Sequence, residues 1–241
     1  MKTGVLCIHG FTGGPYEVQP FADFLKKQTD WNISIPTLPG HGDTLALKNM
    51  TADSWLMEAE LALRELKKSS DRIIIVGFSM GGLIAMYLAM RYKIDRLVLL
   101  SAAAKYISPL QLIEEVKGAL SDARKRRLAE NEFYQRYQYK LVNTPMLSTR
   151  EFLKVVKLVE PYYKNIHIPA CIVQGMKDGV VPVSAADFIY DNIASEDKQI
   201  IRSETGKHMI CYSEDCEDWF IRVLVFMKKG ESKLIIGTFA Y

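Results

Sequence analysis

Residues 72–90 read RIIIVGFSMGGLIAMYLAM, and the pentapeptide at the centre, Gly77-Phe78-Ser79-Met80-Gly81, decides the fold. Ahead of it, Arg72-Ile73-Ile74-Ile75-Val76 is a β-branched run of the kind that forms a buried parallel strand. Behind it, Gly82 to Met90 is helix-forming and free of Pro. A G-x-S-x-G between strand and helix reads as a nucleophile elbow, and the flanks distinguish it from a Gly-rich turn with an incidental serine. The turn is sharp, so a side chain two positions either side of Ser79 would strike neighbouring backbone; hence Gly77 and Gly81. The helix start behind it aims N–H groups at a developing negative charge.

Outward from the elbow, apolar strand-like runs alternate with amphipathic ones. Gly4 to Ile8, Asn32 to Ile35, Arg72 to Val76, Asp95 to Leu100, Ala170 to Gln174 and Lys198 to Ile201 read as strands. In Ser54 to Lys68, Trp55, Ala59, Ala62, Leu63 and Leu66 recur at helical spacing behind a cap at Thr51 or Asp53. This alternation predicts a mainly parallel sheet with helices on both faces, whose ligands sit beyond the carboxyl ends of the strands. Residues 101–169 are too long for one crossover. Leu110, Ile113 and Val116 form one helical stripe, and Phe152, Val155, Val156 and Val159 another, with Thr144-Pro145 between them. The stretch reads as a small helical cap inserted after the fourth strand, or as two ordinary helices packed on the sheet.

The 241 residues, 49% apolar and 24% charged, fit one α/β domain with a sizeable core. A net charge of +3 is too small to argue for nucleic acid or an anionic membrane surface as partner, and no nucleic acid is expected. The basic run Arg124-Lys125-Arg126-Arg127 lies among acidic residues and reads as a solvated helix face. Neither a secretory segment nor a membrane span is expected: Val5 to Ile8 is too short, and Trp219 to Met227 is interrupted by Arg222. The four cysteines show no ligand spacing, which points to a reduced, cytoplasmic protein without a metal.

A nucleophilic serine needs a base, and the base needs an orienting carboxylate. His9 and His41 lie in loops after the first two strands, where they would tie the loops together, and His167 precedes a strand. Only His208 is both late in the chain and in a loop at the carboxyl edge of the sheet. Asp178 falls a few residues past the strand Cys171 to Gln174, so the chain order is Ser79, Asp178, His208. Asp43 competes for the carboxylate role but stands early. For the oxyanion, the N–H of Met80 is one donor and that of Phe11, in the loop after the first strand, the other.

These motifs, with His9-Gly10-Phe11-Thr12-Gly13, Gly40-His41-Gly42 and Gly206-Lys207-His208-Met209-Ile210, resemble small bacterial carboxylesterases and monoacylglycerol lipases of the α/β-hydrolase fold. The resemblance runs from Thr3 to about Lys228. It implies a triad of Ser79, Asp178 and His208, an oxyanion hole at Phe11 and Met80, and a helical cap over an apolar acyl pocket. Tyr106, Ile107, Leu110, Phe152 and Val156 are the lining expected there. The core is expected over residues 1–104 and 167–231, the cap over 105–166 and a tail over 232–241. The implied activity is hydrolysis of short- to medium-chain carboxylic esters, monoacylglycerols included, without a cofactor. The expected partner is a small ester with an apolar acyl chain, with no stable membrane insertion.

Two departures stand out. The chain opens almost at the first parallel strand, so the usual opening antiparallel strands are expected to be reduced or absent. Ser232 to Tyr241 is an extra tail of strand-like composition. Thioester, lactone or carbon–carbon bond hydrolysis and acyl transfer would use the same triad. A ligand-binding member without catalysis and a protein-interaction role for the cap stand outside the enzyme class.

Overall fold

Alternation along each strand sends successive side chains to opposite faces of one sheet, and the two faces carry separate apolar cores. The computed structural model describes residues 2–104 and 146–230. Its strands are β1 (Thr3–Ile8), β2 (Asn32–Ser34), β3 (Arg72–Phe78), β4 (Arg96–Leu100), β5 (Ala170–Gly175) and β6 (Lys198–Ser203). All pair in parallel, in the order β2-β1-β3-β4-β5-β6. Among the described residues, the six expected strands are the six observed. The helices are α1 (Gln19–Gln28), α2 (Ala52–Lys68), α3 (Met80–Arg91), α4 (Met146–Val159), α5 (Ser184–Asn192) and α6 (Cys216–Lys228).

Ile74, Val76 and Phe78 of β3 face α1 and α6, where they join Phe21, Leu25, Trp219 and Val223. Ile73 and Ile75 face the other way, into a core shared with α2, α3, α4 and α5. Every residue of β1, β3, β4 and β5 is buried, which is why their sequences are nearly continuous apolar runs. The edge strands differ: β2 is three residues long, and β6 exposes Arg202.

Helix α2 starts at the expected cap. Thr51 Oγ1 accepts from the Ser54 N–H, and Ser54 Oγ accepts from the Thr51 N–H, both at 3.2 Å. At the end of α6, the carbonyl oxygens of Met227 (2.6 Å) and Lys229 (3.0 Å) accept from Arg72, buried at the start of β3. Arg96 adds a bond to the Lys229 oxygen at 2.9 Å. Two cationic side chains thus satisfy the carbonyls that α6 leaves open at its C-terminus.

The insertion divides at the limit of description. Residues 105–145, with Tyr106, Ile107 and Leu110, lie outside the described residues, as does the tail from 231 onward. The second stripe does not stand apart from the sheet. Phe152, Val155, Val156 and Val159 of α4, with Tyr163 and Ile166 beyond it, belong to the same core as α2 and α3. Ser148 Oγ donates to the Leu47 oxygen at 3.2 Å, and Glu151 accepts from the Ala52 N–H at 3.1 Å, so α4 is also pinned to the loop leading into α2. Among the described residues, no helix is long and apolar enough to cross a membrane.

The strand order reverses direction between β1 and β3: the chain leaves β1 toward one edge and β3 toward the other. Their loops therefore part at the carboxyl end of the sheet and leave a crevice between them. Phe11 follows β1 and Ser79 follows β3, so this topology places both at that crevice.

Candidate active site

Ser79 sits between β3 and α3 with φ 53° and ψ −117°, a strained backbone for a residue with a side chain. Close approach fixes the glycines around it. A Cβ on Gly77 would overlap the Gly81 carbonyl oxygen, and one on Gly81 would overlap that of Ile8 at the end of β1. Hydrogen bonds hold the strained residue. Its N–H donates to the Leu100 oxygen (3.0 Å), and its own oxygen accepts from Gly82 (3.0 Å) and Ala103 (3.2 Å). The side chain is left at the crevice, with the residue 8% exposed.

His208 Nε2 lies 3.1 Å from Ser79 Oγ, and His208 Nδ1 lies 3.0 Å from Asp178 Oδ2. An ionised carboxylate only accepts, so the proton of this pair is on Nδ1 and Nε2 is free to accept from the serine. The Asp178 side chain is fully buried and its other oxygen is occupied. Oδ1 accepts from the N–H groups of Val180 (2.8 Å) and Val181 (2.9 Å). Burial alone pushes this carboxyl up. The charge and hydrogen bond of His208 and the two backbone donors outweigh it and hold the group below the ordinary aspartate range. Asp43 and Glu204, two acids that could compete for the place beside His208, are solvent-exposed.

Sequence reasoning missed three supports of this array. Gln174, the penultimate residue of β5, donates from Nε2 to Asp178 Oδ2 at 3.3 Å. Phe78, the elbow residue before the serine, packs its ring 5.0 Å from that of His208. Asp215, immediately before α6, does not cap that helix with its side chain. Its Oδ1 accepts from Ser203 Oγ (2.6 Å) and Thr205 Oγ1 (2.7 Å), closing the base of the loop that carries His208. Partial burial pushes the Asp215 carboxyl up, but the hydroxyls of Ser203, Thr205 and Ser213 bring it down to about 2. An acid before a helix looks like an N-cap in sequence, so no local signal marks this latch.

The loop after β1 faces the elbow. His9 is buried and clips two loops, its Nδ1 donating to the Gly10 oxygen (2.9 Å) and its Nε2 accepting from the Leu38 N–H (3.0 Å). Its ring lies 5.2 Å from that of His41, as expected of two histidines that join these loops. Phe11 stacks on Phe152 with ring centroids 5.4 Å apart and planes at 12°, and meets Trp55 at 5.7 Å. Phe152 is therefore beside the residue expected to supply an oxyanion donor. Val156, one turn further along α4, is buried in the core with α3, and no described contact brings it to Ser79 or His208. Among the described residues, no group of three or more His, Cys, Asp or Glu side chains is arranged to hold a metal ion.

A buried serine hydroxyl, an imidazole and a carboxylate in hydrogen-bond contact, at the carboxyl end of a parallel sheet, can perform nucleophilic acyl chemistry. Known proteins agree on the scaffold. The family model described as serine aminopeptidase, S33, matches residues 1–215. The thermostable monoacylglycerol lipase of Bacillus sp. strain H-257 is 28% identical over 235 residues, covering 94% of this chain and 90% of that protein. The carboxylesterase of Bacillus subtilis strain 168 is 25% identical over 232 residues, covering 93% and 92% respectively. A solved metagenome-derived lipolytic enzyme superposes with a TM-score of 0.77 at 24% identity, across 95% of this chain and 94% of its own. A family match over most of the chain, on a six-stranded parallel sheet with this elbow, means that the chain belongs to the serine aminopeptidase S33 family and has the α/β-hydrolase fold.

Proposed function

We propose that the protein hydrolyses short- to medium-chain carboxylic esters, monoacylglycerols included, through an acyl-enzyme on Ser79. The observation that carries the reading is the continuous chain from Ser79 Oγ through His208 to Asp178, with contacts of 3.1 and 3.0 Å. The lipase and esterase named above support the ester class, since each resembles this chain over nearly its whole length.

In the first half-reaction, Ser79 Oγ attacks the ester carbonyl while His208 Nε2 takes its proton. Asp178, held by Val180, Val181 and Gln174, keeps the Nδ1 tautomer and stabilises the imidazolium. The carbonyl oxygen becomes an oxyanion that accepts from the N–H groups of Phe11 and Met80. Met80 is the first residue of α3, so its N–H is not spent within the helix. Collapse of the intermediate breaks the C–O bond, and His208 returns the proton to the leaving alcohol. Water, deprotonated by His208, then attacks the acyl-enzyme carbonyl; the bond to Ser79 Oγ breaks, His208 returns the proton to Oγ, and the acid leaves. The Phe11–Phe152 stack beside this centre supplies an apolar wall for an acyl chain.

A p-nitrophenyl ester series from acetyl to palmitoyl, together with monoacylglycerols, tests the reading. A fluorophosphonate should label Ser79, and the specificity constant should rise by up to about fourfold per added methylene until the chain outgrows the wall. A profile that is flat or falls from acetyl upward would replace lipid esters by small acyl esters. Absence of both labelling and turnover would remove the hydrolase reading.

A further inference from the structure

We infer that Glu17 is a positioning residue for the oxyanion hole, holding Gly10 so that the next peptide presents the Phe11 N–H in its donating orientation. The inference rests on the reading above, in which the Phe11 N–H stabilises the oxyanion. Glu17 ends a short 3-10 turn, Pro15–Glu17, and is 3% exposed. A carboxylate taken this far from water is costly unless it is hydrogen-bonded. It reaches back over the loop, and its Oε2 accepts from the Gly10 N–H at 2.9 Å.

Gly10 has no side chain, so the two peptide planes beside it turn freely unless each is bonded. Glu17 fixes the plane before Gly10. The plane after it is fixed at the Gly10 oxygen, which accepts from His9 Nδ1 (2.9 Å) and the Gly13 N–H (3.3 Å). In a trans peptide the C=O and the next N–H point in opposite directions. With the Gly10 oxygen tied on one side, the Phe11 N–H is turned to the other. The carboxylate also fills the inside of the turn, for a Cβ on Gly13 would overlap it. A Cβ on Gly10 would lie 3.2 Å from Glu17 Oε2 and 3.1 Å from Ser79 Cβ, so the bonded backbone lies against the elbow. The neighbouring Tyr16 oxygen accepts from Tyr212 Oη at 2.7 Å, which anchors the base of Glu17 to the turn after His208.

The test compares Glu17→Met, which keeps the volume and removes the acceptor, with Glu17→Gln, which keeps an acceptor oxygen. Turnover of p-nitrophenyl butyrate and affinity for a trifluoromethyl ketone, whose adduct with Ser79 carries an oxyanion, are the readouts. The Met variant should lose about tenfold to a hundredfold in kcat with KM nearly unchanged, less than deletion of a whole oxyanion donor. Its affinity for the ketone should fall by the same factor as kcat/KM, and the Gln variant should stay within about threefold of the parent. A Met variant with parental kcat overturns the inference, and so does a Gln variant as impaired as Met. Should the Met variant not fold, hydrogen exchange at the Gly10 amide of the unmodified protein decides: slow exchange supports the bond, and fast exchange overturns it. If the unmodified protein neither turns over the ester nor takes the fluorophosphonate on Ser79, the hydrolase reading has failed and the inference goes with it. Parental activity in the Met variant, with Ser79 labelled, removes the role of Glu17 alone.

Discussion

Ser79 occupies a backbone conformation that costs about 1–3 kcal/mol for a residue with a side chain. The cost is offset by bonds to Leu100, Gly82 and Ala103, and the product is a hydroxyl held 3.1 Å from an imidazole. Replacing only the hydroxyl leaves these backbone bonds in place. Ser79→Ala should therefore keep the melting temperature within a few degrees and lose about 10⁴-fold or more in kcat. His208→Ala should lose a similar amount. The double variant should be no worse than the poorer single one, because the two groups act in the same step. Ester hydrolysis rates for the three proteins check this, and multiplying losses would show that they act separately.

At the scale of elements, the site depends on loops that are closed at their bases. The His208 loop leaves β6 at Ser203 and returns to α6 at Asp215, and these two side chains meet at 2.6 Å. Asp215→Ala leaves two hydroxyl donors without their acceptor and frees both ends of the loop. We expect a loss of about 1–3 kcal/mol and a lower kcat, through looser placement of the imidazole. Denaturant melts and steady-state kinetics on one preparation measure both. Arg72 gives the contrast. It stands at the amino end of β3, about 20 Å of strand from Ser79, and serves the end of α6. Arg72→Leu should cost about 1–3 kcal/mol by leaving the buried Met227 carbonyl without its charged donor, while the Lys229 oxygen keeps Arg96. The kcat of the folded protein should be unchanged, and a large loss of kcat would show that the end of α6 is coupled to the site.

The whole molecule should weaken in acid for an identifiable reason. Asp178 and Asp215 both titrate below the ordinary aspartate range in the folded state, Asp215 at about 2. A carboxylate held low binds its proton more readily in the unfolded chain. Its stabilisation is complete above the unfolded value of about 4 and is lost as pH falls through the folded value. Thermal melts should thus be nearly level from pH 7 to 5 and fall steeply between about pH 4 and 2. Asp215→Asn should melt lower at pH 6 and decline less steeply in acid, since one of the two groups no longer titrates. An equal acid decline in the variant would place the linkage at other carboxylates.

What the sequence determined by itself was everything written in local pattern and chain order. The β-branched runs, the glycines around Ser79 and the order of serine, aspartate and histidine made the parallel sheet and the Ser79–Asp178–His208 array legible. The reason is that parallel strands bury both faces and the elbow admits little but glycine at its flanks. Tertiary structure alone decided which polar groups hold those three in place. Glu17 meets Gly10 seven residues away, across a turn whose geometry no pattern announces. Asp215 looks like a helix cap and instead bonds Ser203 and Thr205. The placement of α4 belongs to the same class. Its apolar stripe was plain in the sequence, but a stripe says only that a helix is covered. That α2 and α3 cover it, with Ser148 bonded to Leu47 across 101 residues of chain, follows from which surfaces the folded sheet brings together.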